Sequence, residues 1–439
     1  AYEVILIDQA VEPKWRSRLT EVLAKRPLCM GISAMTGRQI QEGLVAAQVA
    51  HEMHCPVVWG GLHPSLMPEQ TMAHPLVDYV VEGEGEETFA ELIRALDAGG
   101  DVGSIRGLWS KQEGAVRYGG KRPFVDLVSL PEIPYDLVDL NKYLRPGPWG
   151  ATLSIYSSRG CPQRCRFCYN RSVHQSHWRA FPVERVLADV RRIHEKHPNL
   201  KHLEFWDDSF FPDLRRAMAI AQGIRDHTPK LTWSVLGTHV RDIERMDDDY
   251  LRALKESGLT DLVLGVESGS QGVIDTVHKN FKLDQLIEAN RRLAQCGIRP
   301  TYTFISGIPG ETDDDIRATT RLLFQLKREN PAAVVGNIKP FVPYPGTELY
   351  RYAVEHGFKP PPCLEDWSRF VWGNYVHLDI PWVPKERRRR LNYLYFYTVA
   401  LNPEYMFISS TTFSVLAHAI LPLTRWRMRH LCFALPLEA

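Results

Sequence analysis

Apolar residues follow two rhythms along this chain, and the rhythms alternate. Short apolar or β-branched runs fall at residues 152–156, 202–206, 231–236, 262–266, 300–305 and 333–341. Between them lie longer stretches whose apolar positions recur three and four apart. In residues 183–194, Val183, Val186, Leu187, Val190 and Ile193 share one helical face. Residues 313–327 open with aspartates, which suit a helix N-terminus. Six strand–helix repeats in about 190 residues predict a parallel sheet.

The first hundred residues alternate more tightly. Residues 2–7 read as a buried strand, 15–23 as a helix, 28–33 as a strand and 39–53 as a helix. Residues 56–59 and 77–81 give two further strands, with a helix running to about residue 96. This density predicts an open, doubly wound, Rossmann-like α/β unit over residues 1–100, with ligands at the strand C-terminal ends. Residues 101–150 are rich in Gly and Pro and carry a short hairpin at 105–109 and 115–118; they read as a connector. Past residue 347 the alternation stops. Residues 348–439 read as a mainly helical, aromatic-rich region.

Charge is nearly balanced, at +1 over 439 residues, so nothing points to nucleic acid. Eight cysteines are too sparse for a disulfide framework. Cys29, Cys55, Cys296, Cys363 and Cys432 lie scattered in apolar contexts, as core cysteines of a reducing cytoplasm do. The other three, Cys161, Cys165 and Cys168, form C-x-x-x-C-x-x-C. Three thiolates on one loop can hold three corners of a 4Fe–4S cube and leave the fourth iron open to a ligand. A structural zinc site is the alternative. It needs four ligands, and no second C-x-x-C follows, although His174 and His177 lie downstream.

With Phe167 before the last cysteine, the loop resembles the signature of radical S-adenosylmethionine enzymes. The ordered strand ends resemble that family too, and especially its cobalamin-linked branch. They are Asp207-Asp208-Ser-Phe, Glu267-Ser-Gly-Ser, Ser306-Gly307-Ile-Pro309-Gly310-Glu311 and Pro345-Gly346-Thr347. The resemblance implies a partial (β/α)6 TIM-like barrel over residues 151–347 with its chemistry at the C-terminal mouth. It implies a 4Fe–4S cluster on Cys161, Cys165 and Cys168. It also implies S-adenosylmethionine held by Phe167, Asp207, Asp208, Glu267, Ser306, Gly307, Pro309 and Gly310. Either aspartate would accept from the ammonium, and Glu267 from ribose or ammonium. Asp208 and Glu267 as helix caps, and the glycines as turn punctuation, are the plainer readings.

In the first unit, Ser33-Ala-Met35-Thr36-Gly37, Gly60-Gly61-Leu-His63-Pro and Glu82-Gly83-Glu84-Gly-Glu resemble a cobalamin-binding domain. The resemblance implies that Ser33, Met35, Thr36, Gly37, Gly60, Gly61, His63, Glu82, Gly83 and Glu84 line the corrinoid site. There is no D-x-H-x-x-G loop to ligate cobalt. The chain opens in what resembles the domain's second strand, so either a leading segment precedes it or the domain is reduced. A vestigial fold that binds no corrinoid is the alternative.

The resemblance implies reductive cleavage of S-adenosylmethionine and, with cobalamin, methyl transfer to an unactivated carbon or to phosphorus. A small-molecule or lipid-like substrate and a flavodoxin- or ferredoxin-type electron donor would serve it. The alternatives are a non-methylating cyclase, ring-contracting or oxidising enzyme, aminocarboxypropyl transfer, or a non-catalytic iron–sulfur electron carrier. Aromatics in residues 366–375 and 393–397 would either grip substrate or pack the barrel's open side. Residues 407–423 are apolar but polar-flecked and precede Arg425, Trp426, Arg427 and Arg429. That pattern suits peripheral membrane contact, or a docked terminal helix. No signal peptide opens the sequence, which places the expectation in the cytoplasm.

Overall fold

The structure is a computed structural model that describes residues 2–112, 114–370, 380–402 and 411–432. The chain forms two compact units. The first is Ala1–Tyr143 with Tyr344–Tyr350 and Lys359–Val371; the second is Leu144–Pro343 with Arg351–Phe358 and Trp372–Ala439.

In the first unit, β1 (Met30–Ser33), β2 (Val57–Gly60) and β3 (Tyr79–Val81) pair in parallel. The expected connector hairpin, β4 (Leu108–Gln112) and β5 (Ala115–Tyr118), extends this sheet antiparallel from β3. Val58, Val81, Leu92, Ile105 and Leu108 make the core beneath it. Among the described residues, 2–7 pair with no strand, and Tyr2, Val4 and Leu6 stand exposed. An apolar run makes a strand only where a sheet edge takes up its backbone groups, and this one lacks such a partner here. Trp367, which the sequence pattern groups with the C-terminal region, is fully buried in the first unit. Its indole N–H donates to Gln70 Oε1 at 2.6 Å.

The second unit is a seven-stranded sheet. From its edge it runs β14 (Val334–Pro340), β13 (Arg299–Ser306), β12 (Leu259–Glu267), β11 (Thr232–Thr238), β10 (His202–Phe205), β7 (Gly150–Ile155) and β6 (Arg145–Gly147). All six predicted strands are present, mutually parallel; β6 joins antiparallel. A two-residue ladder, β8 (Ser158–Arg159) with β9 (Arg179–Ala180), follows the first barrel strand. Leu203, Phe205, Trp233, Val235, Leu262, Leu264, Tyr302 and Phe304 are completely buried on the helix-covered side. Each such side chain contributes about 1.5–3 kcal/mol by leaving water.

Helix Asp313–Glu329 starts where the aspartates predict, through a reciprocal cap. Thr312 accepts from the Asp315 N–H at 3.2 Å and Asp315 accepts from the Thr312 N–H at 2.8 Å. Helix Lys385–Ala400 packs on the β14 edge of the barrel, with Leu391, Leu394 and Tyr397 buried. After it, Asn402 pairs with Val335 as a strand would, accepting from its N–H at 3.1 Å and donating to its carbonyl at 2.7 Å. That covers part of an edge which would otherwise expose backbone groups. Helix Thr411–His430 lies against helices Asp313–Glu329 and Lys385–Ala400, and Arg429 sits 4.9 Å from the Phe324 ring centre. Among the described residues no helix is long and apolar enough to cross a membrane. Residues 371–375 of the aromatic stretch and 407–410 of the apolar one lie outside the described residues.

Candidate active site

The three cysteines sit on the loop that leaves β8, at the C-terminal end of the barrel strands. Cys165 is buried, and Cys161 and Cys168 are half-buried. They are near enough that the charge of one thiolate raises the pKa of another. Yet among the described residues no three His, Cys, Asp or Glu side chains converge on one metal-ion position. A structural zinc site takes four ligands, whereas three thiols on one loop supply three corners of a cluster and leave the fourth iron open. Burial pushes Cys161 up to about 12 and Cys168 up to about 11, and it raises Cys165 as well. A metal cluster that binds them as thiolates would reverse that cost. The donor set therefore fits a cluster.

Backbone and side-chain clasps fix the loop. Asp208 accepts from the Tyr169 hydroxyl at 2.7 Å and from the Gly160 N–H at 3.3 Å. The Arg166 N–H donates to the Val277 carbonyl at 3.1 Å, and its guanidinium donates to the Thr276 carbonyl at 3.0 Å. Asn170 donates to Cys168 Sγ at 3.7 Å. Asp207 turns the other way. It is buried and accepts from the Ser157 N–H at 3.0 Å, the Ser157 hydroxyl at 2.9 Å and the Ser158 hydroxyl. Burial raises its pKa to about 6 despite those donors. The two neighbouring aspartates thus tie down the two ends of one segment, Asp207 the strand exit and Asp208 the cysteine loop.

Glu267 ends β12 in an unusual backbone state, with φ of 71° at a register shift against β13. It is buried and accepts from Lys279 Nζ at 2.7 Å. Lys279 lies 5.6 Å from the Phe167 ring centre and close enough to Cys165 to lower that thiol's pKa against the effect of burial. Burial disfavours the ammonium, but Glu267 and the thiols outweigh it and raise the Lys279 pKa. Gly265 makes room for the pair: a Cβ there would come within 2.5 Å of both Glu267 Oε1 and Lys279 Nζ. Sequence reading passes over Lys279, because a lysine twelve residues from a glutamate carries no spacing signal.

At the end of β13, Ser306 and Gly307 are held by Glu311. Its Oε2 accepts from the Ser306 hydroxyl and the Gly307 N–H, each at 2.6 Å. Burial raises Glu311 to about 7. Pro309 is buried, whereas Gly310 is exposed with open space where a Cβ would stand.

In the first unit the three predicted loops meet at the ends of β1, β2 and β3. Thr36 Oγ1 and His63 Nδ1 are 2.9 Å apart, and the His63 N–H donates to the Ala34 carbonyl at 3.0 Å. Ser65 bridges the next pair, donating to the Gly61 carbonyl at 2.7 Å and accepting from the Gly83 N–H at 2.8 Å. Ser65 is a further residue the sequence reading omits. His63 is fully buried, 5.5 Å from the Trp367 ring, and burial lowers its pKa to about 4. Its Nε2 is buried without a hydrogen-bond partner among the described residues. Gly61 (φ 93°) is required by the loop itself, since a Cβ would meet Ser33 Oγ at 2.9 Å. Ser33, Met35 and Gly83 face solvent, and Gly83 has open space above it, which fits a large ligand lying on the strand ends. Gly37 is buried against the Phe370 carbonyl. Glu82 accepts from the Trp109 indole at 2.8 Å, and Glu84 from the Val125 N–H at 2.9 Å; both tie the loop to its own unit.

The sequence matches the profile of the Radical SAM superfamily over residues 155–323 and that of the B12 binding domain over residues 1–93. It is 32% identical over 359 residues to an uncharacterized methyltransferase of Pyrococcus horikoshii, covering 80% of this chain and 75% of that one. The chain belongs to the radical SAM enzymes that carry a B12-binding domain. This radical SAM chain is also 27% identical to the anaerobic magnesium-protoporphyrin IX monomethyl ester cyclase of Synechocystis, over 76% of its own length and 68% of the cyclase. Solved structures share its fold, among them two with cofactors bound. The methyltransferase TsrM of Kitasatospora setae, with cobalamin and a [4Fe-4S] cluster bound, aligns at TM-score 0.64 and 20% identity over 80% of this chain and 68% of its own. OxsB, with aqua-cobalamin and S-adenosylmethionine bound, aligns at TM-score 0.75 and 16% identity over 97% and 66%. The cofactors of this branch are a 4Fe–4S cluster, S-adenosylmethionine and cobalamin.

Proposed function

We propose that this radical SAM enzyme is a cobalamin-dependent methyltransferase acting on an unactivated carbon or phosphorus centre of a small molecule. One observation carries the reading: the same chain holds a three-cysteine loop clasped at a barrel mouth and a glycine-rimmed cradle on the strand ends of a B12-type sheet. The similarity to a methyltransferase supports it. When bound, the cluster supplies the electron that cleaves S-adenosylmethionine and the corrinoid supplies the methyl group.

The chain's residues do the placing. Cys161, Cys165 and Cys168 hold three irons, and Asp208, Tyr169 and Arg166 keep their loop in register with the barrel. Glu267, neutralised by Lys279, and the Ser306–Gly310 turn receive S-adenosylmethionine, with Phe167 beside the pair. Ser33, Met35, Thr36, Gly60, Gly61 and Gly83 receive the corrinoid, and buried His63 holds Thr36 from behind. A flavodoxin- or ferredoxin-type protein delivers the electron.

A second reading, a non-methylating cyclase, is favoured by the similarity to the cyclase of Synechocystis. Products separate the two. Protein purified anaerobically from cobalamin-fed cells is expected to hold about four irons and one cobalt per chain and to form both 5′-deoxyadenosine and S-adenosylhomocysteine. Iron without cobalt, and 5′-deoxyadenosine alone, would favour the cyclase-type reading. Cys165→Ala is expected to lose the cluster absorbance and all adenosyl cleavage; cleavage at the wild-type rate would overturn the ligand assignment.

A further inference from the structure

The turn after β13 is held from a distant part of the sequence. Residues 307–313 receive several polar contacts from residues 382–390, all within the second unit. The Trp382 indole N–H donates to the Gly307 carbonyl at 2.8 Å. Arg387 donates to the Glu311 carbonyl at 2.8 Å through Nη1, and to Asp313 Oδ1 at 2.8 Å through Nε and 2.6 Å through Nη2. Arg390 reaches the other oxygen of Asp313 at 3.2 Å. Glu311 meanwhile holds the Gly307 N–H from inside the turn. Gly307 therefore has its N–H bound from within and its carbonyl bound from outside.

Braced in this way, the turn has little freedom left to lose on binding a ligand. Gly307 and Gly310 both have positive φ, at 85° and 87°, and glycines wander readily between backbone regions. A turn that must present its backbone to a ligand gains affinity when its shape is fixed beforehand. The contacts that fix it come from the segment that runs from Trp382 into the first turns of the helix Lys385–Ala400. That segment also packs Trp382 6.4 Å from Phe341, the residue after β14. Arg387 is largely shielded and its pairing is charge-assisted, which makes it the stronger brace.

We propose that Trp382 and Arg387 are positioning residues for S-adenosylmethionine: they lock the Gly307–Glu311 turn in its binding shape, so that the C-terminal region belongs to the cofactor pocket. The inference rests on the reading that Ser306, Gly307, Pro309 and Gly310 meet S-adenosylmethionine.

Its test is equilibrium dialysis of S-adenosylmethionine against anaerobically reconstituted, unreduced holoenzyme, alongside KM and kcat for 5′-deoxyadenosine formation. Trp382→Phe removes one donor while keeping most of the ring, and is expected to raise Kd and KM about five-fold. Arg387→Met is expected to raise them about ten-fold or more, with Arg387→Lys recovering part of the loss. Iron content, cluster absorbance and kcat at saturating S-adenosylmethionine should stay near wild type. Gly310→Val, which fills the open face of the turn, separates the two ideas. If Gly310→Val weakens binding while Trp382→Phe and Arg387→Met do not, the brace is overturned and the pocket reading stands. If Gly310→Val leaves Kd unchanged, the pocket reading itself fails. Loss of iron in both brace variants would mark them as merely structural and overturn the proposal.

Discussion

Asp207 and Asp208 are adjacent and chemically identical, yet the fold gives them opposite tasks. One carboxylate is sealed under the strand exit by Ser157 and Ser158; the other reaches out to Tyr169 and Gly160 on the cysteine loop. Sequence shows two acids at a strand end, and side-chain direction decides between them. Glu267 makes the same point, because its partner Lys279 is visible only once the chain has folded. A buried pair is costly to break from one side. Lys279→Met is expected to lower the stability of the apoprotein by about 3–5 kcal/mol, because it strands the Glu267 carboxylate. The double variant Lys279→Met/Glu267→Gln should regain most of that loss in denaturant unfolding. Equal instability of the single and double variants would show that the pair is not the source.

At the scale of elements, legibility followed periodicity. The six barrel strands and the helices between them were readable because each is apolar on the side that helices cover and punctuated by turns or caps. The helix at Asp313 shows how local that code is: Thr312 and Asp315 satisfy each other's backbone N–H without any distant residue. Thr312→Ala should therefore cost about 1 kcal/mol, seen as a small fall in Tm with no change in cluster content. Residues 2–7 have the same apolar character as a strand and form none, because a strand is completed by a neighbour rather than by its own sequence. The hairpin of β4 and β5 was found, but its attachment to β3 was not, since pairing partners leave no local mark.

Among the described residues, burial depresses the pKa values of three histidines: His63 and His202 to about 4, and His239 to about 3. In the unfolded chain they take up protons near the ordinary 6.5. The unfolded state thus binds more protons between about 6.5 and about 4, and stability contributed by the neutral rings is lost as pH falls through that window. Asp207 and Glu311, raised to about 6 and about 7, and Asp242, which burial also raises, act in the opposite sense. The stability that neutral His63 contributes is expected to be lost as pH drops from 6.5 to 4.5, so His63→Asn should change the slope of Tm against pH across that window relative to wild type; an unchanged slope would remove His63 from the account. The sequence by itself determined the order of strands and helices, the three-cysteine loop and the glycine-marked strand ends, because these are set by local periodicity and by residues close together in the chain. Only the tertiary structure decided that Trp367 fills the first unit, that Asn402 pairs with the β14 edge, that Lys279 answers Glu267 and that Trp382 and Arg387 clasp the turn at Gly307. Those contacts join residues far apart in sequence, and their energy comes from burial and geometry that exist only after the chain has closed on itself.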